Sequence, residues 1–255
     1  MIIDTHAHYD DEAFDEDRDV VIQNLRSAGI ELVVNIGASM KTSQNTVELT
    51  KKYDFFYGAV GVHPNETLEL TEDNIELLRE YSRLDKIVAI GEIGLDYYWD
   101  EPSREIQKHW FSRQLDLAKE EEMPIIIHSR DAAKDTLDIL SSTEYKGMSG
   151  VIHCFSYGTD MAREFLKGNY YLGIGGVVTF KNAKKLKEVV AYAPMDRIVL
   201  ETDCPYLSPV PNRGKRNSSS NLEYVIKEIA TIKNLSEEEV IYIANKNAKD
   251  LYHII

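Results

Sequence analysis

MIIDTHAHYD, residues 1–10, sets an apolar β-branched run directly against two histidines one residue apart. In a strand successive side chains alternate between faces, so His6 and His8 point the same way. That is the geometry for gripping one metal ion. A His-x-His pair alone is a weak signal, but the chain repeats its theme: short β-branched runs end in or beside Glu92, His128, His153 and Asp203.

Outward from this stretch, apolar runs alternate with amphipathic helical segments and turn residues. Strands are predicted at Ile2 to His6, Glu31 to Ile36, Phe55 to Val60, Ile87 to Glu92, Pro124 to His128, Gly150 to His153, Tyr170 to Ile174 and Arg197 to Glu201. Helical spacing marks Asp15 to Ala28, Ser103 to Glu121 and Lys181 to Ala191, and two more helices are expected after the eighth strand. Ser236 with Glu239 three residues on reads as the capping box of the last one. Eight strand–helix alternations predict a (β/α)8 TIM barrel with extra C-terminal helices. A doubly wound open sheet is the main rival. The position of the polar residues favours the barrel, whose active sites lie at the C-terminal mouth, because the candidate ligands fall at strand ends. With no Pro/Ser-rich linker or composition break, residues 1–255 are expected to form a single domain.

Composition fits such a domain: 255 residues, 43% hydrophobic and 28% charged. The formal net charge of −14 argues against a broad basic surface gripping nucleic acid without specificity. It leaves room for a nuclease, since bound dications and a local cluster such as Arg213, Lys215 and Arg216 can reverse the sign within one cleft. With neither a leader-like start nor a run of the ~20 apolar residues that cross a bilayer, the expectation is a soluble cytoplasmic protein without a membrane role or an obligate protein partner. Cys154 and Cys204 each follow a candidate ligand, which raises thiolate coordination or a disulfide; reduced, partly buried small residues are the expected state.

The constellation is then His6, His8, Glu92, His128, His153 and Asp203. Four imidazoles and two carboxylates suit borderline or hard divalent ions and are too many for one ordinary site. If Glu92 bridges, His6, His8 and Asp203 complete one site, and His128 and His153 the other. Two ions about 3.5 to 4 Å apart can share a hydroxide and clamp the attacking and leaving oxygens of a phosphodiester. A carboxylate in the IGEIGLDYY segment, just after a buried strand, is costly unless paired or metal-bound.

Several motifs in order carry a family resemblance: MIIDTHAHYD, GVHP (Gly61 to Pro64), GEIGLDYY (Gly91 to Tyr98), IHSR (Ile127 to Arg130), HCFSYG (His153 to Gly158), ETDCPYLSP (Glu201 to Pro209) and RGKRN (Arg213 to Asn217). Together they resemble the TatD family of metal-dependent deoxyribonucleases, essentially from end to end. The resemblance implies a TIM barrel of the metal-dependent hydrolase superfamily. It also implies hydrolysis of DNA phosphodiesters, often from the 3′ end of single strands, and Glu92 as the carboxylate between two divalent metal ions. Mg2+ or Mn2+ is expected to support turnover, whereas an imidazole-rich set holds Zn2+ or Ni2+ more tightly. One departure is visible: the family commonly continues RGKRN with Glu-Pro, where this chain has Ser218, Ser219 and Ser220. It bears on substrate contacts and loop order near the mouth.

Roles follow for the remaining residues. Asp203 is expected to orient the attacking water and accept its proton. His63 is expected to contact phosphate or donate a proton, with no need for it as a ligand. Arg130 either contacts phosphate bidentately or anchors its loop through Asp131. Tyr98, between Tyr97 and Trp99, is a candidate base-stacking platform, and Arg213 and Lys215 are candidate phosphate contacts. Two other classes stay open: a hydrolase of another ester or amide, such as a deacylase acting on misacylated tRNA, and a non-enzymatic metal-binding module.

Overall fold

Because the β-branched runs are buried on both faces, they pair in parallel and in chain order. They form β1 (Ile2–Ala7), β2 (Ile30–Ile36), β3 (Phe56–Val60), β4 (Ile87–Asp96), β5 (Ile125–Arg130), β6 (Gly150–Ile152), β7 (Tyr171–Ile174) and β8 (Ile198–Leu200). The computed structural model describes residues 1–254. Between and after the strands run α1 (Arg18–Leu25), α2 (Met40–Lys52), α3 (Glu72–Ser82), α4 (Arg104–Glu120), α5 (Ala133–Leu140), α6 (Thr159–Lys167), α7 (Lys184–Tyr192), α8 (Leu222–Lys233) and α9 (Glu237–Tyr252). None of the described helices is long and apolar enough to cross a membrane.

The sheet curls into a nearly closed barrel. Ala7 bridges Cys204 in parallel, and the His8 N–H donates to the Cys204 carbonyl at 2.8 Å. Every strand contributes to one buried cluster: Ile3, Leu32, Val34, Ile36, Ala59, Ala89, Ile126, Val151, Tyr171 and Val199. This is the set of inward-facing side chains that fills a small barrel. Outward-facing residues pack under the helices in two further clusters. Helix α9 lies across the starts of β1 and β8. Asn245 there accepts from Ile3 N–H and donates to Met1 O, while Asn247 donates to Met195 O and Ile198 O. Its end residues Leu251 and Tyr252 join the interior cluster. As the sequence predicts, Ser236 and Glu239 form a reciprocal capping box at its start.

One boundary differs from expectation in a way that matters. β4 runs past Glu92 to Asp96, pairing Gly94 with His128 and Asp96 with Arg130 on β5. Gly94 sits at φ +145°, and a Cβ there would lie 1.9 Å from the His128 carbonyl oxygen, so only glycine lets the two backbones approach this closely. The extension carries Asp96 up beside the β5 histidine.

Candidate metal centre

The C-terminal ends of five strands converge on one point. β1 supplies His6 and, just beyond it, His8; β4 supplies Glu92, β5 His128, the residue after β6 His153, and the loop after β8 Asp203. The Asp203 N–H donates to the His6 carbonyl at 2.9 Å, which ties the β8 loop to β1 and sets the two groups side by side. The Asp203 backbone is left-handed, at φ +56°.

Glu92 lies in the middle with its two oxygens facing different partners. Oε2 is 3.5 Å from His6 Nε2 and 3.7 Å from His8 Nε2; Asp203 Oδ1 is 3.6 and 3.3 Å from the same two nitrogens, which are 3.1 Å apart. Ligand atoms about 2.0–2.2 Å from a tetrahedral divalent ion lie about 3.3–3.6 Å from one another. His6 Nε2, His8 Nε2 and Asp203 Oδ1, 3.1–3.6 Å apart, therefore have close to the spacing of a cation's coordination shell, with Glu92 Oε2 beside the two imidazoles. Oε1 faces the other way, 2.8 Å from His128 Nδ1 and 2.9 Å from His153 Nε2. Here protons bridge the groups at hydrogen-bond distance in a second donor set suited to a cation.

Tautomers sort the imidazoles. His8 Nδ1 lies 3.0 Å from the Ile36 carbonyl, which can only accept, so a proton stays at Nδ1 and Nε2 is the nitrogen that faces the cluster and would coordinate. His128 Nε2 lies 3.1 Å from Asp96 Oδ2, which holds a proton at that nitrogen and makes Nδ1, the nitrogen facing Glu92, the one that would coordinate. His63 has the opposite arrangement. Its Nδ1 accepts the Asn65 N–H at 3.2 Å, so neutral His63 carries its proton on Nε2, 3.7 Å from Glu92 Oε1. Burial and the neighbouring His128 push His63 down to about 3, which keeps it neutral. Proximity groups it with Glu92 and His128, but its hydrogen bonding makes it a donor toward the cluster.

The charges are strongly coupled. Burial alone would raise Glu92, but the charge of His153 and hydrogen bonds from His128, His153 and His6 hold its carboxyl well below the usual range. Burial would likewise raise Asp203, and His8, His153 and His6 hold it down. Burial would lower His8, yet Asp203 and Glu92 push it up to about 9; His153 is pushed up to about 10 against burial by Glu92. His6, buried and next to His153, drops to about 4. The cluster thus holds protons on imidazoles where cations would supply the same charge.

Two carboxylates that carry no spacing signature belong to this site. Asp96, 1% exposed, accepts from the N–H groups of Tyr98 (2.9 Å) and Trp99 (3.2 Å) through Oδ1 while Oδ2 takes His128. Glu201 lies behind His153, with Oε1 3.7 Å from His153 Nδ1, and burial pushes it up to about 8. Gly173 makes room for it, since a Cβ there would be 2.1 Å from Glu201 Oε2. The only hint of Asp96 in the sequence is its place in GEIGLD, four residues past Glu92. Glu201 was visible as the end of a predicted strand and the first residue of ETDCPYLSP, with no role attached to it.

A cavity of about 820 Å³ opens over the cluster, lined among others by His8, His63, Glu92, His128, Arg130 and Asp203. Trp99 lines it too, 65% exposed. Tyr98 instead lies under Arg130, whose guanidinium carbon sits 3.8 Å from the ring centroid. Arg213 and Lys215 do not line this cavity. Arg213 lies over the Phe180 ring at 4.4 Å, and Lys215 is exposed on the same loop. Arg216 is taken up by Asp17 and the Ala13 carbonyl, and Tyr97 by Asp135. The serines that depart from the family pattern form an anchor. Ser219 is fully buried; its Oγ donates to Asp4 Oδ2 at 2.6 Å and its N–H to Tyr9 OH at 2.9 Å. Asp4 also accepts from Thr202, so this loop braces the segment leading to Asp203. Cys154 and Cys204 are free thiols.

Comparison with known proteins agrees with this arrangement. A family model described as TatD related DNase matches residues 3–253. An uncharacterized metal-dependent hydrolase, YabD of Bacillus subtilis, is 45% identical over 254 residues, covering 100% of both chains. YcfH of Escherichia coli K12, also an uncharacterized metal-dependent hydrolase, is 32% identical over 257 residues, covering 100% of this chain and 96% of its own. The crystal structure of YjjV, a TatD homologue from E. coli K12, superposes with a TM-score of 0.93 at 28% identity, covering 100% of this chain and 98% of that one. With the eight-stranded barrel and the histidine–carboxylate cluster at its mouth, these matches establish that the chain belongs to the TatD family of metal-dependent hydrolases.

Proposed function

We propose that this protein is a dinuclear metal-dependent deoxyribonuclease that hydrolyses phosphodiester bonds from the 3′ ends of single strands. The observation that carries the reading is the division of Glu92, with Oε2 turned to His6, His8 and Asp203 and Oε1 turned to His128 and His153. One shared carboxylate between two donor sets suits two cations held close together, which is the arrangement in-line displacement at phosphorus calls for. Bound there, divalent ions supply Lewis acidity that makes water a nucleophile near neutral pH and offsets charge on the phosphate oxygens. Mg2+ or Mn2+ suits turnover, while Zn2+ or Ni2+ suits the imidazoles in affinity.

The chain's own groups complete the chemistry. Asp203, held ionised and 3.3 Å from His8 Nε2, orients the attacking water and accepts its proton. His63 presents Nε2–H to a phosphate oxygen or the leaving oxygen. Arg130, held over the Tyr98 ring, offers guanidinium N–H groups to the strand, and Trp99 offers an exposed ring to an unpaired base. Free thiols at Cys154 and Cys204 fit a cytoplasmic setting.

The test is to incubate the metal-loaded protein with end-labelled single-stranded DNA, RNA of the same sequence and an aminoacyl ester. A ladder of DNA shortened from the 3′ end is expected. Cleavage of the ester with both polymers intact would replace this reading with a deacylase, and a ladder from RNA alone would move it to ribonucleic acid.

A further inference from the structure

A second cavity, of about 340 Å³, opens off the first between the loops after β6, β7 and β8. The two share Cys154, Ser156, Asp203 and Leu207, so anything held at the metal cluster can extend into it. Its walls are largely apolar, with Phe155, Val177 and Leu186, and Asn182 and Ser156 supply polar edges. The volume is at the low end for small-molecule sites and suits one nucleoside rather than a stretch of polymer.

Two exposed lysines, Lys184 and Lys185, line the same cavity. Lys187 on the same helix pairs with Glu228 at 2.6 Å. Lys184 and Lys185 have no carboxylate partner among the described residues. The loop after β8 is tied to the loop after β7 by Val210 N–H donating to Thr179 Oγ1 at 2.8 Å, and it places Arg213 over Phe180 on that same loop. On a chain with a formal charge of −14, Lys184, Lys185 and Arg213 set three cations without an ion-pair partner among the described residues beside the mouth, next to the Glu201 and Asp203 carboxylates that line the same cavity. A polyanion crossing the rim would be drawn here.

We propose that the side cavity is a nucleoside subsite for the nucleotide on the 5′ side of the cleaved bond. Its base enters between Phe155, Val177 and Leu186, and the phosphates of the retained strand pass over Lys184, Lys185 and Arg213. The inference rests on the phosphodiesterase reading and adds a direction: the strand leaves the metals toward β7 and β8, away from Trp99 in the loop after β4.

The experiment uses the metal-loaded full chain and two single-stranded DNA oligonucleotides, identical except that one carries a tetrahydrofuran abasic residue at the penultimate position. First-cleavage kcat/KM is expected to fall about tenfold or more on the abasic strand. K184A/K185A is expected to raise KM more than it lowers kcat and to reduce the salt slope of log(kcat/KM) by about 1.4, since each phosphate contact on a single strand contributes about 0.7. Ala183→Trp, which fills the cavity from its rim, is expected to erase the discrimination between the two strands. Equal rates on both strands with an unchanged salt slope in K184A/K185A would overturn the subsite and leave the nuclease reading standing. Failure to shorten either strand would overturn both.

Discussion

Replacing Asp96 with Asn should weaken one metal position and spare the other. The reason lies in which oxygen is already committed. Oδ1 of Asp96 accepts two backbone N–H groups, from Tyr98 and Trp99, so in the variant the amide oxygen must take that place. The amide nitrogen then faces His128 Nε2 where Oδ2 stood at 3.1 Å, donor against donor. His128 can relieve the clash only by moving its proton to Nδ1, the nitrogen that faces Glu92 and would coordinate. A buried charge-assisted hydrogen bond is worth about 1.5–3 kcal/mol, and loss of such an outer partner typically costs about 10–100-fold in metal affinity. We therefore expect the cation on the His128–His153 side to bind about 10–100-fold more weakly, with the His6–His8–Asp203 side within a factor of about 3 of wild type. Chelator competition resolves the two equivalents, and long-range 1H–15N spectra of 15N-histidine protein report the tautomer directly. Equal weakening of both equivalents, or unchanged affinity with His128 still protonated at Nε2, would refute the reasoning.

Other outcomes follow from the same geometry. Asp203→Asn should lower nuclease kcat by about 10²–10⁴-fold in saturating Mg2+ or Mn2+, as expected for removal of a general base; near wild-type turnover would remove its role. In the metal-free protein, the protons on His8 and His153 stabilise the fold fully below the unfolded imidazole value of about 6.5, and this contribution is lost as pH rises through about 9 and about 10. Melting temperature in chelator should accordingly fall between pH 6.5 and 10 more than in saturating metal, and parallel profiles would contradict the assignment. Ser219→Ala removes a buried donor to Asp4 and should cost about 1–3 kcal/mol in urea denaturation without changing metal content.

The fold was legible because a parallel barrel writes each strand as an apolar run buried on both faces. Boundaries at β1, β2, β3, β6, β7 and β8 fall within a residue of those expected from sequence. The strand expected at Ile87 to Glu92 stops four residues early, because it is Gly94 that lets β4 continue against β5. The six constellation residues were visible through their types and their position at strand ends. Asp96 and Glu201 were not, since a carboxylate that orients a histidine from behind carries no spacing of its own. Arg216 looked as available for phosphate as Arg213, because its pairing with Asp17 links residues 199 positions apart. Ser219 read as a departure at the rim, but its burial against Asp4 and Tyr9 depends on a contact across the whole chain.

The claim everything else leans on is that Glu92 separates two cations. Anomalous scattering from crystals grown with Mn2+ or Zn2+, recorded above and below the metal edge, tests it directly. Two peaks about 3.5–4 Å apart are expected, one beside each Glu92 oxygen, with His6, His8 and Asp203 around the first and His128 and His153 around the second. A single fully occupied peak, or a second ion held by His63 in place of His153, would contradict the account.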